Sequence, residues 1–235
     1  MVIFDPTSLP NIVDATSEWY ARAGANEGMF QILNVSPQNP LIVLCLFYNG
    51  SEAEGRVNYK CFFDIGPIAD MTREMPYEEL NAVQNGFAYP GQGAYMKGSA
   101  HRKPVVPAIT KAHQRIVDVF KASGLKANLI FEYLPLSNIT SIPADAAAFR
   151  RDPTAKVLAL IQWQENTPEN TALARATASE VLNIVTSAEP DLGAPEKLGY
   201  SNYDFDAVQA CIMASTRHAD DGLSLTAIRP TDKHE

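Results

Sequence analysis

Residues 28–48 read GMFQILNVSPQNPLIVLCLFY and contain two runs rich in strand-forming apolar residues. The first run covers residues 28–35 and the second covers residues 41–48. The SPQNP segment between them places two prolines and an asparagine, which break helices and favour turns. The stretch therefore predicts a hairpin-like pair of strands, with the second strand central and buried in a sheet.

Amphipathic helices are predicted on both sides of this strand pair. Residues 7–22 place apolar side chains on one stripe at helical spacing. After the second strand, Ser51 and Glu54 have the spacing of a capping box, which starts a helix that runs to about Phe63. The first half of the chain therefore has the order helix, strand, strand, helix.

The same order of elements returns in the second half. A helical stripe covers residues 107–123, and two strand-forming runs follow at residues 127–134 and 155–163. Thr167 is placed to cap an alanine-rich helix over residues 169–186. The repeated order predicts an α+β fold in which an antiparallel sheet is flanked by helices.

The segment between the two halves, residues 64–103, has a different character. It begins as a strand, enters a short helix at Pro76 and ends in a glycine-rich stretch. A segment of this kind could cover a pocket.

Composition and charge exclude several classes of function. The 235 residues are 46% hydrophobic and 20% charged, which is typical of a globular protein. A formal net charge of −8 disfavours nucleic acid and anionic lipid as partners, because both attract basic surfaces. No run approaches the roughly 18 apolar residues of a membrane span, and the N-terminus lacks a signal-peptide pattern. We therefore expect a cytoplasmic protein with no membrane partner.

The residue types that most often bind metals are scattered along the chain. The three cysteines have none of the close pairs of a zinc or redox site. The histidines also lack metal-ligand spacing, and we expect each of them to be exposed to solvent. They are His101, His113, His218 and His234. The sequence therefore predicts no metal site.

Four separate segments, in order along the chain, carry a resemblance to a known family. They are FYNGSEAEGRVNYKCFFDIGPIADMTREMPYEELNAVQN at residues 47–85, IFEYLPLSNITSIPADAAAFRRD at 130–152, LALIQWQEN at 158–166 and GYSNYDFD at 199–206. These segments resemble the substrate domain of FAD-linked oxidases of the berberine bridge enzyme type, particularly the fungal ones. The likeness runs from about residue 4 to residue 206 and depends on the order and spacing of all four segments.

The resemblance also indicates what the chain lacks. Family members hold FAD in a separate domain built from sequence before and after the substrate domain, and residues 207–235 show no trace of the family's final segment. We therefore expect a substrate-domain-like domain over residues 1–206, a divergent C-terminal helix and tail over residues 207–235, and no FAD held by this chain. The C-terminal helix or a homodimer contact is expected to cover the sheet face that family members turn toward the flavin.

Two tyrosines in the last of the four segments are candidate site residues by similarity. In the family, a tyrosine in an Asn-Tyr pair of this kind stands over the flavin and can act as a base. The matching residue here is Tyr203, which we predict to be catalytic, with Tyr200 beside it in contact with the substrate. The alternative is a tyrosine packed in the core, with its hydroxyl bonded to backbone.

Lys156 is the second predicted catalytic residue. Some family members carry a glutamate at the matching place on this strand, so the lysine is a departure from the family pattern. Strand alternation places three further residues on its face, and we predict that they bind the substrate. They are Leu158, Leu160 and Gln162. The alternative is a lysine at the end of the strand that reaches solvent.

Glu132 and Tyr133 on the neighbouring strand are further candidates for substrate binding. Strand alternation directs them to opposite faces of the sheet, so only one of them can face the same cavity as Lys156. A pair between Glu132 and Lys156 is a hypothesis of the sequence analysis.

Three functions remain open on the sequence alone. The favoured one is a flavin-free enzyme that binds an amphipathic secondary metabolite, polyketide, terpenoid or aromatic, and catalyses a non-redox cyclisation, for instance of the Diels–Alder type. The second is the substrate-binding part of a split FAD-linked oxidase. The third is a non-catalytic remnant that binds a small molecule.

Overall fold

Seven antiparallel strands form one sheet in the part of the chain that the structure describes. The structure is a computed structural model that describes residues 1–35, 40–83, 85, 91–143, 146, 151 and 154–192. The strands are β1 (Val2–Phe4), β2 (Glu27–Val35), β3 (Pro40–Tyr48), β4 (Ala69–Asp70), β5 (Gly93–His101), β6 (Lys126–Tyr133) and β7 (Ala155–Trp163). Their order in the sheet is β4-β1-β3-β2-β6-β7-β5.

The helices of the structure include those that the sequence predicts, in the predicted order. They are α1 (Leu9–Tyr20), α2 (Glu52–Asn58), α3 (Lys60–Phe63), α4 (Val106–Ser123), α5 (Ser137–Thr140) and α6 (Pro168–Thr186), with 3-10 turns at Pro6–Ser8 and Tyr77–Ala82. Helices α4 and α6 pack on the sheet, and α1 contacts α4. The α+β class with a helix-flanked antiparallel sheet is therefore confirmed.

The strand pair predicted at residues 28–48 is present as β2 and β3. The two strands are antiparallel, with Glu27 opposite Tyr48 and Val35 opposite Pro40. Strand β3 also pairs with β1, and β2 also pairs with β6, so both strands lie inside the sheet. The middle strand of the seven is β2 rather than β3.

The predicted helix ends coincide with the hydrogen bonds that stabilise them. The Ser51 N–H donates to the Glu54 carboxylate at 2.9 Å, and the Glu54 N–H donates to the Ser51 hydroxyl at 3.3 Å, which completes the capping box. The Thr167 hydroxyl accepts from the Asn170 N–H at 3.1 Å. Helix α4 ends at Gly124, whose φ of 74° is a conformation that favours glycine.

The two faces of the sheet differ in how deeply their side chains are buried. Burial alternates strictly along β6, where every second side chain is buried among the helices. These are Ala127, Leu129, Phe131 and Tyr133. We call this the helix face and the opposite one the open face. Residues 193–235, which contain the predicted C-terminal helix and tail, lie outside the described residues, so the domain boundary at residue 206 stays a prediction. None of the described helices has the length and apolar character needed to cross a membrane.

Strand β5 is one of the elements that sequence patterns did not reveal, together with the short elements β1 and α5. Its glycine-rich sequence pairs antiparallel with β7, and Gly93 lies opposite Trp163. A Cβ at Gly93 would lie 2.2 Å from the indole nitrogen of Trp163, so only glycine fits beside the ring. Glycine is uncommon in strands, so Gly93 weakens the strand signal in the sequence. In the structure the same glycine is needed because a larger residue would not fit beside Trp163.

We expect Gly93→Ala to lower the free energy of unfolding by about 2 kcal/mol, because the methyl group forces the indole ring to move. Urea unfolding followed by tryptophan fluorescence measures this change. The control is Gly24→Ala, where the nearest atom to an added Cβ is 3.6 Å away and stability should be nearly unchanged. Equal stability of the two variants would contradict the packing requirement.

Two histidines that were expected to be exposed are buried. His101 at the end of β5 has no exposed surface, and His113 on α4 is 8% exposed. The His101 ring packs edge-on against the rings of Phe131 and Tyr133, with centroid distances of 5.2 and 5.3 Å. Burial, with a smaller contribution from the charge of Lys156, lowers the pKa of His101 to about 4. The expectation was wrong because strand alternation places His101 on the helix face, which a scattered histidine in the sequence does not indicate.

We expect the folded protein to lose stability as the pH falls below about 6.5. In the unfolded chain His101 titrates near 6.5, whereas in the folded protein its pKa is about 4, so the unfolded state binds the proton more readily in between. The contribution of His101 to the free energy of unfolding is fully present above pH 6.5. It falls by on the order of 3 kcal/mol in all as the pH falls toward 4. Urea unfolding between about pH 7 and about pH 5, above most carboxyl pKa values, measures the slope.

The variant His101→Phe should flatten this slope, because phenylalanine keeps the ring contacts and has no proton to bind. His113→Asn is the comparison for the other buried histidine, whose pKa is also lowered by burial. An unchanged slope in His101→Phe would show that His101 is not the group that titrates.

Candidate functional site

The register of the interior strands aligns aliphatic side chains across the open face. Ile32 on β2 lies between Val43 and Ile130 on its two neighbours, and Ile130 lies opposite Leu158 on β7. At the two ends of this line are Ile3 and Gly98. We call this line of residues from Ile3 to Gly98 the aliphatic row. It forms an apolar strip across six strands, in which Ile3, Ile32 and Ile130 are half-buried and the other three residues are buried.

A polar pair borders the aliphatic row on one side. Glu132 on β6 lies directly opposite Lys156 on β7, and both side chains are half-buried. Opposite residues on antiparallel strands have Cβ atoms about 5 Å apart, so the two charged groups share one site. The Lys156 ammonium donates a hydrogen bond to the Thr154 hydroxyl at 3.2 Å. The two residues of the pair that the sequence analysis proposed are thus direct cross-strand neighbours.

Amide groups border the aliphatic row on its other side. Asn128 on β6 lies opposite Leu160, and Gln162 lies one step further along β7, opposite Lys126. Asn128, Leu160 and Gln162 are all half-buried. Along β6, Glu132 and Asn128 are four residues apart, which corresponds to about 13 Å. The open face therefore has an apolar middle and polar groups on both sides.

The predicted site residues on β7 do share one face. Lys156, Leu158, Leu160 and Gln162 alternate with residues of the helix face, and Glu132 joins them from β6. Leu158 is nearly covered, at 4% exposure, so it supports the surface more than it forms it. Tyr200 and Tyr203 lie outside the described residues, and their roles stay predictions.

Tyr133 lies on the other face of the sheet. It has no exposed surface, and its ring packs edge-on against Tyr20 at a centroid distance of 5.1 Å. Because its hydroxyl group is buried away from solvent, the pKa of Tyr133 is raised well above its ordinary value. Of the two neighbours Glu132 and Tyr133, Glu132 is therefore the one that lies with Lys156, and Tyr133 is removed from the residues that can line the open face.

Sequence reasoning missed three residues of the open face on the central strands. Asn128, Ile130 and Ile32 take part in it through strand pairing. The alternation within β6 contains part of this signal, since Asn128 and Ile130 have the same parity as Glu132. The place of Ile32 depends on the register between β2 and β6, which a single strand does not reveal.

In the part of the chain that the structure describes, no glycine of positive φ leads directly into a helix. A pyrophosphate is commonly held by a glycine-rich turn at a helix N-terminus. Among the described residues, the glycines with positive φ are Gly66, Gly91 and Gly124, and none of them leads directly into a helix. The described part of the chain also contains no group of three or more histidine, cysteine or carboxylate side chains that could hold a metal ion.

The fold has clear counterparts among solved structures. The chain is similar to 6-hydroxy-D-nicotine oxidase from Arthrobacter nicotinovorans, with a TM-score of 0.60 and 20% identity over 78% of this chain and 42% of that one. It is also similar to a variant of berberine bridge enzyme, with a TM-score of 0.66 and 13% identity over 87% of this chain and 42% of that one. A third similar structure is chitooligosaccharide oxidase, with a TM-score of 0.63 and 14% identity over 86% of this chain and 45% of that one. No family model matches the sequence, and no curated protein matches it.

The chain spans less than half the length of these three oxidases, whereas the similar region includes most of this chain. At 13–20% identity, what it shares with them is the fold. The described residues therefore have the fold of the substrate domain of FAD-linked oxidases of the berberine bridge enzyme type, as the sequence segments predicted.

Proposed function

We propose that the open face binds an amphipathic organic metabolite and that the chain catalyses a non-redox cyclisation of this metabolite without flavin. The observation that supports the proposal is the polar border of the aliphatic row, with the Glu132–Lys156 pair on one side and Asn128 on the other. Polyketide, terpenoid and aromatic metabolites combine a carbon skeleton with a few oxygen groups, which matches an apolar strip between polar groups.

The spacing of these groups sets the shape of the proposed ligand. Its carbon skeleton lies on the aliphatic row, where Ile32, Ile130 and Leu158 are neighbours on three strands. Its polar ends are about 13 Å apart, the separation of Glu132 and Asn128 along β6. A ligand held at both ends in this way has little freedom to extend away from the sheet.

The proposed reaction needs no oxidant or reductant. In a cycloaddition within one molecule, new carbon–carbon σ bonds form from the π electrons of the same molecule, so atoms and electrons balance and the product is an isomer. Holding the reacting ends together can supply roughly 7–11 kcal/mol in ideal cases. The Lys156 ammonium would donate a hydrogen bond to a substrate carbonyl whose oxygen gains negative charge, and the Glu132 carboxylate would hold a hydroxyl group. Tyr203 is proposed as a second hydroxyl donor on the strength of the family resemblance.

A second candidate function is the substrate-binding part of an FAD-linked oxidase. Its support is that the similar oxidases are more than twice as long as the matched region, and that the open face is apolar. Under this candidate, a flavin domain held elsewhere would dock against the open face, and the same residues would bind the substrate. A non-catalytic binding protein is the outcome if neither activity exists.

We expect the purified chain to be colourless, alone and after incubation with excess FAD followed by gel filtration. In incubations under air with linear polyene ketones and analysis by mass spectrometry, we expect products of unchanged mass. Lys156→Gln should slow their formation at least tenfold, because it removes the charge of the donor. Retained flavin absorption, or products lighter by two hydrogens, would reject the flavin-free function in favour of the oxidase.

Binding to the open face can be measured separately with the fluorescent probe anilinonaphthalene sulfonate, an amphipathic aromatic anion. Lys156→Gln should weaken its binding about fivefold or more, because a charge-assisted hydrogen bond is lost. Ile130→Thr keeps the β-branched shape but places a hydroxyl in the aliphatic row, and should also weaken binding.

The matched control is Lys121→Gln, which makes the same change of charge on an exposed residue of α4. Its dissociation constant should equal that of the unsubstituted protein. If all three variants bind the probe equally, the ligand site is not on the open face.

A further inference from the structure

We propose a second ligand site, for a small organic ammonium ion, in a cavity on the helix side of the sheet. The cavity has a volume of about 300 Å³ and lies between the end of β3, helices α2 and α3, and residues 72–80. Its β3 wall is formed in part by Tyr48, whose side chain belongs to the helix face because Tyr48 lies opposite the buried Glu27. The site is therefore separate from the open face and does not depend on the function proposed for that face.

Aromatic rings supply much of the cavity wall. Tyr48, Tyr59, Phe63 and Tyr77 all line it. The Phe63 ring already carries a cation, because the Arg56 guanidinium lies 5.1 Å from its centroid. Aromatic faces attract cations through the quadrupole of the ring. The protein itself thus makes a cation–π contact at this wall, and we expect the tyrosine rings to offer the same kind of contact to a ligand.

The Tyr48 ring is held in place by two glycines. A Cβ at Gly50 would lie 2.6 Å from Cε1 of Tyr48, and a Cβ at Gly55 would lie 3.3 Å from its Cβ. The ring therefore fits closely against the turn before α2 and against α2 itself. A side chain at either glycine would push the ring from this position, so the glycines keep one aromatic wall of the cavity in a fixed place.

The cavity lining contains two guanidinium groups and two carboxylates, and both guanidinium groups are paired with carboxylates. The Arg56 guanidinium is already paired with Glu52 at 2.7 Å and with Asp70 at 2.9 Å. Arg73 is paired with Glu79, at 3.4 Å. Asp70 and Glu79 do not themselves line the cavity, whereas Glu52 and Glu74 do.

Glu74 is the carboxylate with no cation of its own. Its side chain accepts a hydrogen bond from the Glu52 N–H at 2.8 Å. Among the described residues, no cation lies within salt-bridge distance of it. A carboxylate beside aromatic faces is the chemistry that recognises substituted ammonium ions.

The probe for this site is phenyltrimethylammonium, and the comparison is benzenesulfonate, an anion built on the same ring. Titration followed by ¹⁵N–¹H NMR should show saturable shifts of the Gly50 and Gly55 amide signals with the ammonium ion, in the range of about millimolar dissociation constants. Benzenesulfonate should bind more weakly. Tighter binding of the anion, or shifts confined to open-face residues, would overturn the proposal.

Two variants test the chemistry without disturbing the core. Glu74→Gln keeps the hydrogen-bond acceptor and removes the charge, and should weaken binding about two- to fivefold. Tyr77→Leu, at a side chain that is 77% exposed, removes one aromatic face and should have an effect of about the same size. Glu18→Gln on the exposed side of α1 is the matched control and should leave binding unchanged. If Glu74→Gln and Tyr77→Leu both bind the probe as tightly as the control, this cavity is not the site.

Discussion

The register of the interior antiparallel strands is the constraint on which the rest of the structure depends. Successive side chains of a strand point to opposite faces, so a slip of one residue would exchange the two faces completely. In the observed register, Phe131 lies opposite Val157 in the packed core, and Glu132 lies opposite Lys156 on the other side. The exchanged register would bury two charges and expose a phenylalanine. The large cost of burying charged groups therefore holds the polar pair on the open face.

The same strands consequently present side chains of different chemistry on the two faces of the sheet. On the helix face, packing is close enough to keep His101 uncharged and to exclude any side chain larger than glycine beside Trp163. On the open face, half-buried aliphatic and polar groups alternate in rows across the strands. Lys156 connects the two, since its charge adds to the lowering of the His101 pKa from the opposite face. A substitution designed for the open face can thus also affect the titration of the core.

The likeness to FAD-linked oxidases concerns the scaffold, and one fold can support unrelated chemistries. What decides the chemistry is the set of side chains on the open face and whatever covers it. A carboxylate and an ammonium group at the edge of an apolar strip suit the orientation and polarisation of an organic substrate in either proposed function. The aromatic cavity beside α2 is separate from this surface, so the two proposed ligand sites differ in chemistry.

The sequence by itself determined the helix-strand-strand-helix order within each half, the capping box at Ser51, the β2–β3 strand pair and the common face of Lys156 and Leu158. Each of these depends on residues close together in the chain, where spacing and turn chemistry act directly. Only the tertiary structure decided that Glu132 rather than Tyr133 accompanies Lys156, that His101 is buried, and that the glycine-rich residues 93–101 form a strand. The physical reason is that strand register and helix packing join residues distant in sequence, and no local pattern specifies which of two alternating faces the helices will cover.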